Sequence, residues 1–344
     1  MRQTVLAAIL AAGAAAYAFA QPVSPEVGEI ATTRLAAHEP IDPATDGRIL
    51  GLDPDHISAA DVRDVLSHAP APRIICLQGS VAMVTMEPFA EFLIAMGYPE
   101  SRLRNPVDGS MSNSSFADSE KLAGMLAWYY EIEGMMPMLI GHSQGGMMVI
   151  KVLYELVGEF NKELSVWNPT TDQSEHRFTI TDPLDGKERP VVGLKIPYAT
   201  ALATGRLFRI LLGQWAMLNR LRAIPDSVDE FTGFIIEWDP LAGFGSDPYR
   251  AIGTAKVHTV MLPASTSHIG MPLAKELALN PITRAWIEAY RPDSGAAPPV
   301  DAGVDTSNII HAADIWYSIR KHWALEAQKL IRARRGGSVA KIGG

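Results

Sequence analysis

The sequence predicts an α/β protein with a mostly parallel central sheet flanked by helices. Three observations carry this. Short, near-continuous apolar runs recur along the chain, as strands buried on both faces require. Segments of helical spacing alternate with them, which argues right-handed βαβ crossovers. The 344 residues are 47% hydrophobic and 20% charged, enough for one large core.

The elements follow in order. Residues 21–70 are polar and Pro-rich, an N-terminal extension with a helical hint at 58–67. The run Arg73-Ile74-Ile75-Cys76-Leu77, ending near Gly79, reads as a buried strand. Residues 88–96 have helical spacing and stop at Gly97, and 103–106 is a candidate short strand. Residues 118–133 form a helix with an acidic first turn and Gly134 behind it. A second buried strand at 136–141 runs into a helix at 145–158. Further strands are expected at 191–196, 231–238 and 257–262, the middle one rich in β-branched and aromatic residues.

Two regions break the rhythm. Asp185-Gly186, set between apolar–polar runs, is a hairpin signal. Residues 199–226 carry Leu207, Phe208, Ile210, Trp215, Met217 and Leu221, apolar on more than one face, as a helical cap insertion over the sheet or a crossover helix would be. The main domain therefore spans 71–290. A Pro/Gly/Ala-rich linker follows at 291–308, then a C-terminal helix and tail over 309–344. Trp316, Ile319, Trp323 and Leu330 give that helix an apolar stripe able to dock on the main domain.

Residues 1–20 have Arg2, an apolar stretch from Val5 to Ala18 and an Ala18-Phe19-Ala20 ending, the pattern of a cleaved export signal. The stretch is short for a membrane span, so export without a stable span is expected after cleavage at Ala20. Cys76 is the single cysteine, so no disulfide forms within the chain, and its apolar setting reads as core. A formal net charge of −8 argues against nucleic acid as a partner. The basic cluster Arg332, Arg334, Arg335 and Lys341 reads as a solvated end. No His/Cys/Asp cluster has metal-ligand spacing, and no cofactor is implied.

The chemistry concentrates at Gly141-His142-Ser143-Gln144-Gly145-Gly146, between the second strand and its helix. Strand, sharp turn, helix is the setting of the nucleophile elbow G-x-S-x-G. A serine at that apex stands above the sheet. The flanking positions must be small, and the helix N-terminus points its N–H groups to where negative charge would develop. A hydroxyl needs a base, and the base an orienting acid. On a parallel sheet such groups gather at the carboxyl ends of strands. His268 lies in the small, polar loop after 257–262, and Asp239 stands at the end of 231–238. The chain order Ser143, Asp239, His268 is the order expected of this arrangement. Glu237 and Asp247 remain alternatives for the acid. His142 is given a supporting structural role, because neighbours at such a bend point apart. His258, His311 and His322 lack the strand-end loop setting. The oxyanion hole is assigned to the backbone N–H of Gln144 and of Ser80, with Val81 as second choice for the latter.

On these residues the chain resembles the α/β-hydrolases, and the Gly141–Gly146 segment is similar to the elbow of bacterial secreted lipases and esterases. The resemblance covers about 70–290. Where the family carries His-Gly in the oxyanion segment, this chain carries Gln78-Gly79. The family's helical cap between its sixth and seventh strands fits the insertion at 199–226. The resemblance implies a secreted serine hydrolase acting on small or lipid-like carboxylic esters. The same triad could act on an amide, thioester or polyester. A hydrolase-like fold that only binds is the rival of another class, and the intact Ser/Asp/His set argues against it.

Overall fold

The computed structural model describes residues 42–342, apart from 206–213, 244–246, 293 and 301. The export signal read at 1–20 lies outside the described residues, as does the extension up to 41.

A five-stranded sheet runs through the centre: β1 (Ile74–Leu77), β2 (Met138–His142), β3 (Ile196–Leu202), β4 (Val228–Ile236) and β5 (Lys256–Leu262), side by side in that order. Every pairing is parallel. The register places Leu77 beside Gly141, His142 beside Leu202, Leu202 beside Phe234 and Ile236 beside Leu262. The carboxyl ends of all five strands therefore finish along one edge, and the segments leaving them share a single crest.

Strand side chains alternate between two apolar layers. Ile74, Cys76, Met138 and Ile140 face one layer, with α3 (Glu87–Ala95), α6 (Lys275–Leu279), α7 (Pro281–Ala289) and α8 (Ile309–Ile342). Ile75, Leu77 and Leu139 face the other, with α4 (Ser119–Glu133) and α5 (Gln144–Leu156). β1 to β3 are buried throughout; β1 and β2 read as near-continuous apolar runs for that reason, while β3 fills the same setting with small residues. β5 is one of the two edge strands, and most of its residues are partly or fully exposed. Cys76 is buried, and burial pushes its thiol up to about 12, as suits a core residue.

Local signals behave as their chemistry requires. Asp118 caps α4 by accepting from the Glu120 N–H at 2.9 Å, and Gly134 ends that helix in the left-handed region at φ 76°. Ser58 and Asp61 form a reciprocal capping box on the short helix α2 (Ala59–Asp64), which follows α1 (Pro43–Leu50). The Asp185-Gly186 turn joins two short antiparallel strands, Thr179–Thr181 and Glu188–Pro190.

Two expectations need correction. Residues 103–106 form no strand: a 3₁₀ turn at Glu100–Arg102 leads into a loop. The strand expected at 191–196 is displaced to β3, Ile196–Leu202. Residues 199–202 are thus sheet, not insertion. Of the cap insertion expected at 199–226, Leu207, Phe208 and Ile210 lie outside the described residues. Residues 214–226 hold a 3₁₀ turn at Trp215–Met217 and a two-residue strand, Ala223–Ile224, paired with Arg250–Ala251. Met217, Leu221 and Ile224 are buried in the second layer, which accounts for the apolar character of those three positions.

α8 is not a detached tail. Ile315, Trp316, Ile319 and Trp323 are buried in the first layer, the Trp323 indole N–H donates to the Pro70 carbonyl at 2.9 Å, and Gln328 Nε2 donates to the carbonyls of Ile49 and Leu52. The helix also buries charge. Glu230, on β4, meets Lys321 Nζ at 2.9 Å and His322 Nε2 at 3.5 Å. Burial alone would raise the Glu230 pKa, but His322 and Lys321 outweigh it and hold the group at about 2. A carboxyl whose pKa is lower folded than unfolded adds stability above its ordinary value and loses it as pH falls. Glu230 is therefore expected to contribute on the order of 3 kcal/mol above pH ~4.5, fading toward pH ~2. Denaturant unfolding of the native chain and Glu230→Gln across that range should show the stability difference closing with acid. A pH-independent difference would reject the assignment.

Among the described residues no helix is long and apolar enough to cross a membrane.

Candidate active site

The turn between β2 and α5 is built by its glycines. A Cβ on Gly141 would overlap the Gly145 carbonyl, and one on Gly145 would overlap the carbonyl of Leu77 at the end of β1. At Gly146 it would run into the Thr204 hydroxyl. Only hydrogen at these positions lets α5 start directly against the sheet. Ser143 takes the strain of the turn, with φ 53° and ψ −114°. Its backbone is held on both sides: its N–H donates to the Leu202 carbonyl at 2.7 Å, and its carbonyl accepts from Thr204 Oγ1 at 3.1 Å.

Two side chains distant in sequence complete the crest. His268 Nε2 lies 3.0 Å from Ser143 Oγ, and His268 Nδ1 lies 2.6 Å from Asp239 Oδ2. The other Asp239 oxygen accepts the backbone N–H groups of Leu241 and Ala242 at 2.9 and 3.1 Å. Burial opposes ionisation of Asp239, but His268 and these two N–H groups prevail and hold its pKa below the usual aspartate value. An ionised Asp239 accepts a hydrogen bond from His268 Nδ1–H, which keeps the ring proton on Nδ1 and leaves the Nε2 lone pair to accept from the serine hydroxyl. Trp238 adopts φ 59° just past the end of β4, and Asp239 turns inward behind it, buried, while Trp238 stays 73% exposed. Glu237 and Asp247 are both exposed, so of the acids considered it is Asp239 that is buried against the imidazole.

His142 is no link in this line of hydrogen bonds, although it lines the same cleft as Ser143. It is buried, and its Nε2–H donates to the His268 carbonyl at 2.8 Å. Burial, then the neighbouring His268, pushes the His142 pKa down to about 3, so the ring is neutral at working pH.

The segment after β1 closes the other side. A Cβ on Gly79 would lie 3.2 Å from Ser143 Cβ, so the chain passes close beside that serine. Ser80 and Val81 line the same cleft. Gln144 opens α5, where the first N–H groups have no acceptor within the helix. The Gln78 side chain stays out of the cleft: its Oε1 accepts from Ser112 Oγ at 2.8 Å, and that oxygen accepts the Met86 N–H at 2.9 Å. Ser112 thus ties together both ends of the loop that carries Ser80. Nothing in the sequence pointed to Ser112 or Thr204, because each acts through hydrogen bonds to distant segments.

The cleft above Ser143 has a volume of about 40 Å³ and an apolar rim, with Val81, Val84, Leu241 and Ile269 around it. Two larger surface hollows, along 298–306 and between Val62 and Trp316, contain no member of the Ser143–His268–Asp239 set. Among the described residues no group of three or more His, Cys, Asp or Glu is placed to hold a metal ion. The chain matches no protein-family model, no curated protein and no solved structure.

Proposed function

We propose that the protein is a serine hydrolase of the α/β-hydrolase kind that cleaves carboxylic esters with a hydrophobic acyl group. The observation that carries this is the hydrogen-bonded line from Ser143 Oγ through His268 to buried Asp239, 3.0 and 2.6 Å, set on a strained turn at the carboxyl edge of a parallel sheet. Ser143 Oγ attacks the ester carbonyl while His268 Nε2 takes its proton. The carbonyl electron pair moves onto oxygen, where the N–H groups of Gln144 and Ser80 receive it. Collapse expels the alcohol, which takes the proton back from Nε2 and leaves an acyl group on Ser143. Water then repeats the sequence and releases the acid. The apolar rim of the cleft supports an apolar acyl chain over a charged one. The leader-like segment at 1–20 adds export to this reading.

A fluorophosphonate probe tests the nucleophile directly. Intact mass should rise by one adduct on the folded protein and not on Ser143→Ala. Failure of the folded native chain to label would overturn the hydrolase reading.

A further inference from the structure

The loop that carries the imidazole is held from outside itself. After β5 ends at Leu262, residues 263–274 cross the crest with only short internal turns, Thr266 to Pro263, Gly270 to Ser267 and Leu273 to Gly270. Ile269 and Leu273 are exposed at its top. Its own Met271 and Ala274 are buried in the first layer, and the hydrogen bonds its backbone receives from elsewhere come from side chains of other elements. His142 donates to the His268 carbonyl, as described. Asn308, just before α8, donates through Nδ2 to the carbonyls of Gly270 and Leu273 at 2.7 and 3.0 Å. His311, in the first turn of α8, donates through Nε2 to the Met271 carbonyl at 2.9 Å.

We infer that the start of the C-terminal helix is a positioning element for His268, acting through Asn308 and His311. This rests on the hydrolase reading above. Both side chains are almost wholly buried and cannot drift to solvent. The His311 ring packs against Phe89 at 6.4 Å and against Phe234 at 6.0 Å. Phe234 lies on β4, the strand that leads to Asp239, so one ring braces the approach to the acid and the loop of the base together. Burial pushes His311 down to about 4, so the neutral ring keeps a single proton, and Nε2 directs it to Met271; the other nitrogen meets no partner. A donor placed under a loop matters because small displacements of a base from its nucleophile are costly to rate.

Side chains on a helix also bond backbone carbonyls simply to dock it, and α8 offers its own control: Gln328, further along, gives two such bonds to Ile49 and Leu52, away from the crest. His311→Leu is expected to lower kcat for a p-nitrophenyl ester roughly tenfold to a hundredfold with KM little changed. His311→Gln, whose amide N–H reaches about as far as Nε2, should recover the greater part of that loss. Gln328→Leu should lower the unfolding midpoint without that fall in kcat. A second readout needs no turnover. The low-field proton resonance of the His268–Asp239 hydrogen bond should broaden or vanish in His311→Leu and persist in Gln328→Leu. Should His311→Leu not fold, Asn308→Asp carries the same two readouts. Native kcat and native resonance in the loop variants, or an equal fall in Gln328→Leu, overturn the inference. Failure of the native chain to label with fluorophosphonate would instead strike the hydrolase reading, and the resonance would still decide whether α8 positions His268.

Discussion

Ser143→Ala is expected to lower ester turnover about a million-fold, because it removes the atom that forms the acyl bond. What survives should still exceed the reaction in water by roughly a thousandfold or more, since the oxyanion donors and the cleft remain. Asp239→Asn is expected to cost about ten-thousandfold in kcat with the fold intact. Asparagine can donate its own N–H to His268 Nδ1. The imidazole proton then moves to Nε2, and the ring no longer accepts from Ser143 Oγ. Asp247→Asn and Glu237→Gln change exposed groups and should leave kcat within a few-fold of native. Saturation kinetics with one p-nitrophenyl ester across all four variants separates the cases. If Asp247→Asn abolished turnover while Asp239→Asn kept it, the acid would be misassigned.

Gly145→Ala should have the largest effect on folding. The added carbon would fall within the carbonyl of Leu77, and neither backbone can move without separating α5 from β1 and β2. A loss of more than about 3 kcal/mol is expected, with most of the protein insoluble. Gly47 gives the contrast. It sits in α1 with open space around its Cα, so Gly47→Ala should gain about 0.5–1 kcal/mol from helix propensity alone. Urea unfolding and soluble yield of the two variants test this. Native stability in Gly145→Ala would mean the elbow is looser than its packing implies.

The sites differ in how far the sequence announced them. The elbow was legible because its constraint is local: a nucleophile on a strained turn needs small residues at fixed offsets, and Gly141, Gly145 and Gly146 occupy them. The hairpin at Asp185-Gly186 and the caps at Ser58 and Asp118 were legible for the same reason. β3 was misplaced because its middle is Pro197-Tyr198-Ala199-Thr200-Ala201, which is neither an apolar run nor an alternation. Small residues suffice there because α5 packs close: a Cβ on Gly146 would come within 3.0 Å of the Ala201 Cβ. At Met217, Leu221 and Ile224 the apolar positions counted toward a cap insertion are those of a chain buried in the second layer, a pattern that a packed helix produces equally.

By itself the sequence determined the α/β class, the strand–serine–helix turn and the order Ser143, Asp239, His268, all of which rest on residue types at short spacings. Tertiary structure decided which of three acids meets the imidazole, because that depends on a backbone reversal at Trp238 and on burial. It also decided that Gln78 is tied to Ser112, that His142 holds the base loop, and that Asn308 and His311 reach the same loop from the end of the chain. These are single hydrogen bonds between distant segments. Strand register and helix docking set their geometry, and no periodicity or motif along the chain encodes it.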